Sequence, residues 1–117
     1  MGAINRTLGT EIECGPVTLT SAAQAHAAKR HPDDYGRCQP HLASVIANPL
    51  FVGDDCKNPG KIELIGRVAS IKTAILVAIN LERNERGEYE VASFYPVAEG
   101  KIEKRQAKGY LKRLRIA

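Results

Sequence analysis

Residues 26–32 read His26-Ala27-Ala28-Lys29-Arg30-His31-Pro32, the densest run of groups in the chain that can move a proton or hold an anion. In a helix, Arg30 stands one turn beyond His26 on the same face, close to the small residues Ala23 and Ala27, which would pack on a sheet. An imidazole exchanges a proton near neutral pH, and a guanidinium grips a phosphate through two parallel hydrogen bonds. Together they suit cleavage of a phosphoryl ester. The plainer alternative is a solvated basic helix end that complements the helix dipole. Ser93 and Tyr95 form a second pair, two residues apart in a strand-like run and therefore on one face. If the first helix crosses near that face, the serine suits a phosphate oxygen and the tyrosine a base, by bonding or stacking. Here the alternative is the half-exposed face of an edge strand.

Metal chemistry is less well supplied. His26, His31, Cys38, His41 and Cys56 are ligand types, and Cys38-Gln39-Pro40-His41 has a short knuckle-like gap. No second matched pair completes a zinc pattern, so the reading is no metal and no other cofactor. Nucleotide-binding glycine loops, the nucleophile elbow of hydrolases and the paired-histidine helix of zinc proteases are all absent. Asp54-Asp55 sits in a polar stretch, where adjacent carboxylates usually mean a solvated turn.

The elements that must position these groups follow from punctuation and period. Ile12, Cys14, Val17 and Leu19 make two short strand-like pieces broken by Gly15-Pro16. Thr20 or Ser21 caps a helix, with Ser21 and Gln24 at capping-box spacing, which runs through an alanine-rich stretch and stops by His31 ahead of Pro32. Residues 41–48 carry Leu42, Val45 and Ile46 at helical spacing and close at Asn48-Pro49. Residues 52–61 read as a loop and 62–68 as a strand. Residues 74–79, apolar without a break, read as a central strand covered on both faces. Residues 82–88 form a charged connection with Gly87 placed for positive φ, and 89–95 form the partner strand, which ends at Pro96. Strict alternation puts Tyr89, Val91, Ser93 and Tyr95 on one face, with Ala92 and Phe94 on the other. From Glu99 onward, Ile102, Ala107, Tyr110, Leu111 and Leu114 fall at helical spacings interrupted by Gly109, as in a basic amphipathic helix or an irregular basic arm. The layout is α+β.

At 117 residues the chain is a single domain, 1–117, large enough for a core without staples. Hydrophobic residues at 44% and charged residues at 26% exclude disordered, collagen-like and mucin-like classes. No apolar run approaches a membrane span, and three cysteines point to a reducing compartment. The net charge of +4 is unevenly spread. Within the basic segment 99–117, Lys101, Lys104, Arg105, Lys108, Lys112, Arg113 and Arg115 face Glu103, a local +6 from Lys101 onward that leaves the remainder near −2. Lys29, Lys104, Arg105 and Lys108 are accordingly candidate phosphate contacts.

The order of these pieces carries more than any one of them. Val17-Thr18-Leu19, a helix with His26 and Lys29-Arg30-His31-Pro32, then Ile46-Ala47-Asn48-Pro49, Leu76-Val77-Ala78-Ile79 and Ser93-Phe94-Tyr95 ahead of a basic end resemble, over residues 12–114, a known nuclease group. It is the phage-associated branch of the barnase, EndoU, colicin and RelE-like (BECR) nucleases. The resemblance implies N-terminal helices packed on an antiparallel sheet of about four strands, and a metal-independent endoribonuclease, toxin-like or phage-associated. Its substrate would be RNA, tRNA among the candidates, cut by 2′-hydroxyl attack to a 2′,3′-cyclic phosphate. It further implies catalytic roles for His26, Arg30, His31 and Ser93 and substrate contacts from Lys29 and Tyr95. An immunity or antitoxin protein is the implied partner, with no membrane. The implied site of action is cytoplasmic, reached as part of a phage particle or larger toxin. The alternative is a non-catalytic basic RNA-binding or virion-associated module, and a third is a structural or interaction domain.

Overall fold

The computed structural model describes residues 15–30, 35–36, 38–54 and 60–113. His31, Cys14, Cys56, Asp55, Leu114 and Arg115 therefore lie outside the described residues, and His26 is described by its backbone alone. In chain order the elements are β1 (Val17–Thr18), α1 (Ser21–Arg30), a 3-10 turn (Gln39–His41) running into α2 (Leu42–Ala47), β2 (Phe51–Asp54), β3 (Lys61–Val68), β4 (Thr73–Asn80), β5 (Tyr89–Val97), α3 (Glu99–Ala107) and β6 (Lys112–Arg113). The fold is α+β. Its sheet is mixed, in the order β1-β5-β4-β3-β2-β6. The four longer strands, β2 to β5, are antiparallel to their neighbours, and a two-residue strand closes each side, β1 parallel to β5 and β6 antiparallel to β2.

β4 sets the layers. Residues 74–79 are all buried, and their side chains alternate between two apolar clusters on opposite faces. Ile75, Val77 and Ile79 join Leu42 and Val45 of α2 together with Ile62, Leu64, Tyr89, Val91 and Phe94. Ala74, Leu76 and Ala78 join Phe51, Ile65, Val97, Ile102 of α3 and Leu111. α1 is tied to the first of these faces. The Tyr35 hydroxyl donates to the Gln24 amide oxygen at 3.0 Å, and the Tyr35 ring packs 5.9 Å from Phe94. Gln24 is thus used for tertiary contact, its NH2 group donating to the Leu19 carbonyl, instead of completing a capping box with Ser21.

Four local readings are corrected. Residues 51–54 are a strand where the sequence read a loop from Val52, because Phe51 and Val52 fill opposite clusters and four paired residues suffice. Pro96 lies inside β5, since beyond Glu90 that strand pairs with β4 alone and a proline fits the free edge. A β-bulge at Ala92 shifts the register, so that Ile79 faces Val91 while Ala78 faces Ser93. The bulge leaves Tyr89 and Val91 on the first face with Phe94, and turns Ser93 and Tyr95 to the second, breaking the strict alternation read from sequence.

The fourth correction concerns the basic segment, where the helix ends at Ala107. Gly109 adopts φ 78°, the Gly109 N–H reaches Gln106 and the Tyr110 N–H reaches Arg105, a left-handed C-terminal closure. The chain then reverses, buries Leu111 and pairs Lys112–Arg113 with β2, so Tyr110 is 49% exposed and takes no part in a helical stripe. This return passes so close to β2 that a Cβ at Gly53 would collide with the Tyr110 backbone carbonyl. Gly53→Ala should therefore unseat Leu111 and cost about 1–3 kcal/mol, read as a lower urea midpoint. An unchanged midpoint would mean that Leu111 does not pack there.

Candidate functional site

Directly paired residues of antiparallel neighbours share a face, so the register defines rows of side chains across the sheet. Glu63, Ala78 and Ser93 form one row on the second face. With strands about 4.8 Å apart, the outer two are separated by about 9–10 Å with only a methyl group between them. Ile65, Leu76 and Tyr95 form the next row toward α3. α3 lies over this apolar part of the face through Ile102, and Arg105, one turn later, reaches back over the polar row.

Arg105 holds the group together. One of its terminal nitrogens donates to both oxygens of the Glu63 carboxylate, at 3.0 and 3.1 Å, and Tyr95 also engages the guanidinium. Burial disfavours the Arg105 charge, but the Glu63 carboxylate and Tyr95 outweigh it and hold the pKa above its ordinary value. Side-chain exposure is 12% for Glu63 and 32% for Arg105, so the pair is shielded from most of the solvent. The result is a polar group at the edge of the α3 cover, a carboxylate, a guanidinium and a phenol, with Ser93 in the same row as Glu63 across the buried Ala78. Such a group can accept a proton, supply positive charge and donate hydrogen bonds to a phosphate.

Besides Arg105, α3 carries Lys101 and Lys104 on its exposed side, Lys108 caps its C-terminal end in line with them, and Lys112 and Arg113 are exposed after it. Arg67 is committed elsewhere: its Nε and Nη2 make a two-pronged pair with Glu99 at 2.8 and 2.9 Å, which pulls the Glu99 pKa below its ordinary value.

The structure therefore brings together three of the residues singled out from sequence, Ser93, Tyr95 and Arg105. Lys104 and Lys108 stand on the outer side of the helix that carries Arg105. Lys29 and Arg30 are exposed at the end of α1, and among the described residues no hydrogen bond or ion pair joins them to Ser93, Tyr95 or Arg105. Glu63 was missed. Its signal was the alternation Lys61-Ile62-Glu63-Leu64, which puts a carboxylate on the face opposite two core residues, but nothing in the spacing announced an arginine 42 positions later as its partner. Among the described residues, no group of three or more His, Cys, Asp or Glu side chains is placed to hold a metal ion. Among them too, no helix is long and apolar enough to cross a membrane.

The mixed sheet thus carries a basic helix over one face, with a carboxylate, a guanidinium and a phenol grouped at its border. Over residues 2–104 the chain matches the family described as phage-Barnase-EndoU-ColicinE5/D-RelE like nuclease3, and it belongs to that family. No curated protein and no solved structure matches it.

If Arg105 is what keeps the Glu63 charge tolerable, Arg105→Ala should destabilise the fold by about 1–3 kcal/mol. Adding Glu63→Gln should restore most of that loss, because no charge is then left without a partner. Equal stability of the single and double variants in urea would show that the pair is not coupled to folding.

Proposed function

We propose that this chain is a metal-independent endoribonuclease of the toxin or phage-associated kind. The substrate's own 2′-hydroxyl attacks the adjacent phosphorus, the new O–P bond closes a 2′,3′-cyclic phosphate, and the P–O5′ bond breaks to release a 5′-hydroxyl. The nucleophile comes from the RNA, so the chemistry calls for proton transfer and charge stabilisation without a metal. Membership of a nuclease family supports the reaction class. The observation that carries the assignment to a site is the Glu63–Arg105–Tyr95 group beside Ser93 on the second sheet face.

In this reading a phosphate docks against the exposed side of Arg105, at the edge of this group. Arg105, already drawn toward a carboxylate, turns part of its hydrogen-bonding capacity to the phosphate and offsets the charge that builds on its oxygens. Ser93 and Tyr95 donate to the same oxygens. Glu63 accepts the proton leaving the 2′-hydroxyl. The proton for the departing O5′ comes from solvent at this edge. α1 packs on the first face, so His26 with Lys29, Arg30 and His31 is a separate proposed catalytic group, His26 and His31 carrying protons and Arg30 and Lys29 holding the phosphate, and it does not act on a phosphate held by Arg105. The stripe of Lys101, Lys104 and Lys108 guides the strand by its phosphates. RNA, tRNA included, is the proposed partner, in the cytoplasm of the target cell, after delivery within a phage particle or larger toxin. An immunity or antitoxin protein is proposed to hold the activity in check.

That same exposed stripe also supports a second reading, a basic RNA-binding or virion-associated module without catalysis, because phosphate contacts need no Glu63–Arg105–Tyr95 group.

Total RNA incubated with the protein in EDTA should yield fragments ending in 2′,3′-cyclic phosphate. A rate loss of roughly 10²–10⁴-fold with folding retained is expected in Glu63→Gln, which keeps an oxygen for Arg105; the same loss in His26→Ala instead would assign the chemistry to α1. Full activity in Glu63→Gln would remove the carboxylate from the chemistry, and loss of activity in EDTA would reject the mechanism.

Binding separates the stripe from that group. Changing Lys101, Lys104 and Lys108 to Gln should flatten the log–log salt dependence of single-stranded RNA affinity by about 2 units, at roughly 0.7 per contact. An unchanged slope would mean that the stripe is only a solvated helix face.

A further inference from the structure

Among the described residues, Tyr110 is the one large hydrophobic side chain that stands exposed. The other tyrosines are engaged: Tyr35 with Gln24 and Phe94, Tyr89 with the Arg83 guanidinium over its ring, and Tyr95 with Arg105. Among the described residues, the Tyr110 ring and hydroxyl have no hydrogen bond, ring contact or cation partner. An exposed aromatic is ordinary by itself, but this one is presented by a fixed backbone. Its N–H donates to the Arg105 carbonyl at 3.0 Å, its carbonyl lies against Gly53, and the next residue, Leu111, is buried in the second cluster. Gly109 makes the preceding turn at φ 78°. The path of the chain therefore holds the ring outward, and ordering a tyrosine on a ligand then costs the freedom of only two side-chain torsions.

Cations surround it. Lys108, Lys112 and Arg113 are all exposed within three residues of Tyr110, residues 104–113 contain no acid, and among the described residues none of the three cations makes an ion pair. Arg67, Arg86 and Arg105, by contrast, are committed to Glu99, Glu88 and Glu63. β6 spreads the charge around the sheet edge. Arg113 pairs with Phe51 and shares the second face with it, whereas Lys112 pairs with Val52 and lies on the first. Unpaired cations flanking an exposed ring match a single-stranded nucleic acid in both of its parts, since phosphates take the cations and the face of an unpaired base takes the ring. A duplex satisfies the cations alone, because its base faces are already stacked. An acidic protein surface likewise meets the charge and leaves the ring without a counterpart.

We infer that Tyr110 is a stacking platform for one unpaired base, and that it gives the basic segment a preference for single strands. The role rests on the reading of RNA as the partner, which the ribonuclease and the binding module share, and it needs no cleavage. It reads no base edge, because every base offers a π face. Tyr110 also lies beyond residues 2–104, the part of the chain matched to the nuclease family.

The test is equilibrium binding of the full chain to 2′-O-methyl RNA, as an unstructured oligouridylate strand and as a duplex of the same length, across a salt series. These strands lack the attacking 2′-hydroxyl, so the result does not depend on cleavage. Tyr110→Ala should weaken single-strand binding about tenfold and duplex binding by less than about twofold, with the log–log salt slope unchanged because no charge is removed. Tyr110→Phe keeps the ring and should stay within about twofold of the unmodified chain on both. The urea midpoint should hold in both variants, the ring being exposed. Equal losses on strand and duplex, no loss on the strand in Tyr110→Ala, or the same loss in Tyr110→Phe would each overturn the stacking role while leaving RNA as the partner. Binding of neither RNA by the unmodified chain would overturn the stacking role together with the RNA reading.

Discussion

One strand constrains everything else. β4 is apolar on both sides, so its burial needs cover above and below, and the two covers differ in kind. α2 with the Tyr35 and Leu19 contacts supplies one. α3 and the returning Leu111 supply the other. At about 1.5 Å per residue, the nine residues of α3 reach only about 13 Å, roughly half the length of the strands beneath it. Its apolar part ends over Leu76 and Ile65, and Ala78, Glu63 and Ser93 lie beyond. The polar group at the border is thus a consequence of covering a long strand with a short helix.

Where the cover stops, charge takes over from apolar packing. Arg105 sits one turn after Ile102, at the border between buried face and solvent, and its long stem lets a residue of a packed helix project a cation over the sheet. Glu63 answers it from β3, and Tyr95 from β5. The pair thereby locks helix to sheet and fixes a partly exposed guanidinium at the border of the cover. Lys101, Lys104 and Lys108, turned outward on the same helix, share none of this restraint.

The bulge at Ala92 is the other decisive feature. One additional residue in β5 lets Tyr89, Val91 and Phe94 all serve the first core while Ser93 and Tyr95 serve the second face. Without it, regular alternation would bury Ser93 beside Val91 with no polar partner. The bulge therefore decides that the Tyr95 phenol meets Arg105.

Much of this was legible in the residues alone. The unbroken apolar run of β4, the short helix ending at Asn48 and the positive φ of Gly87 follow from local chemistry, and each stands in the structure. The family resemblance was legible too, as an order of modest motifs. The short strand at Phe51–Asp54, the reversal at Gly109 and the bulge were not. Each depends on contacts between residues far apart in the chain: Phe51 with Ile65, Gly53 with the Tyr110 carbonyl, and Ala78 with Ser93 in place of Ala92. The same holds for the candidate site. Residue types nominated Ser93, Tyr95 and Arg105 separately, but only packing a nine-residue helix across three strands could place them around one alanine and bring in Glu63, because a short-range pattern contains no term for how far a helix reaches over a sheet.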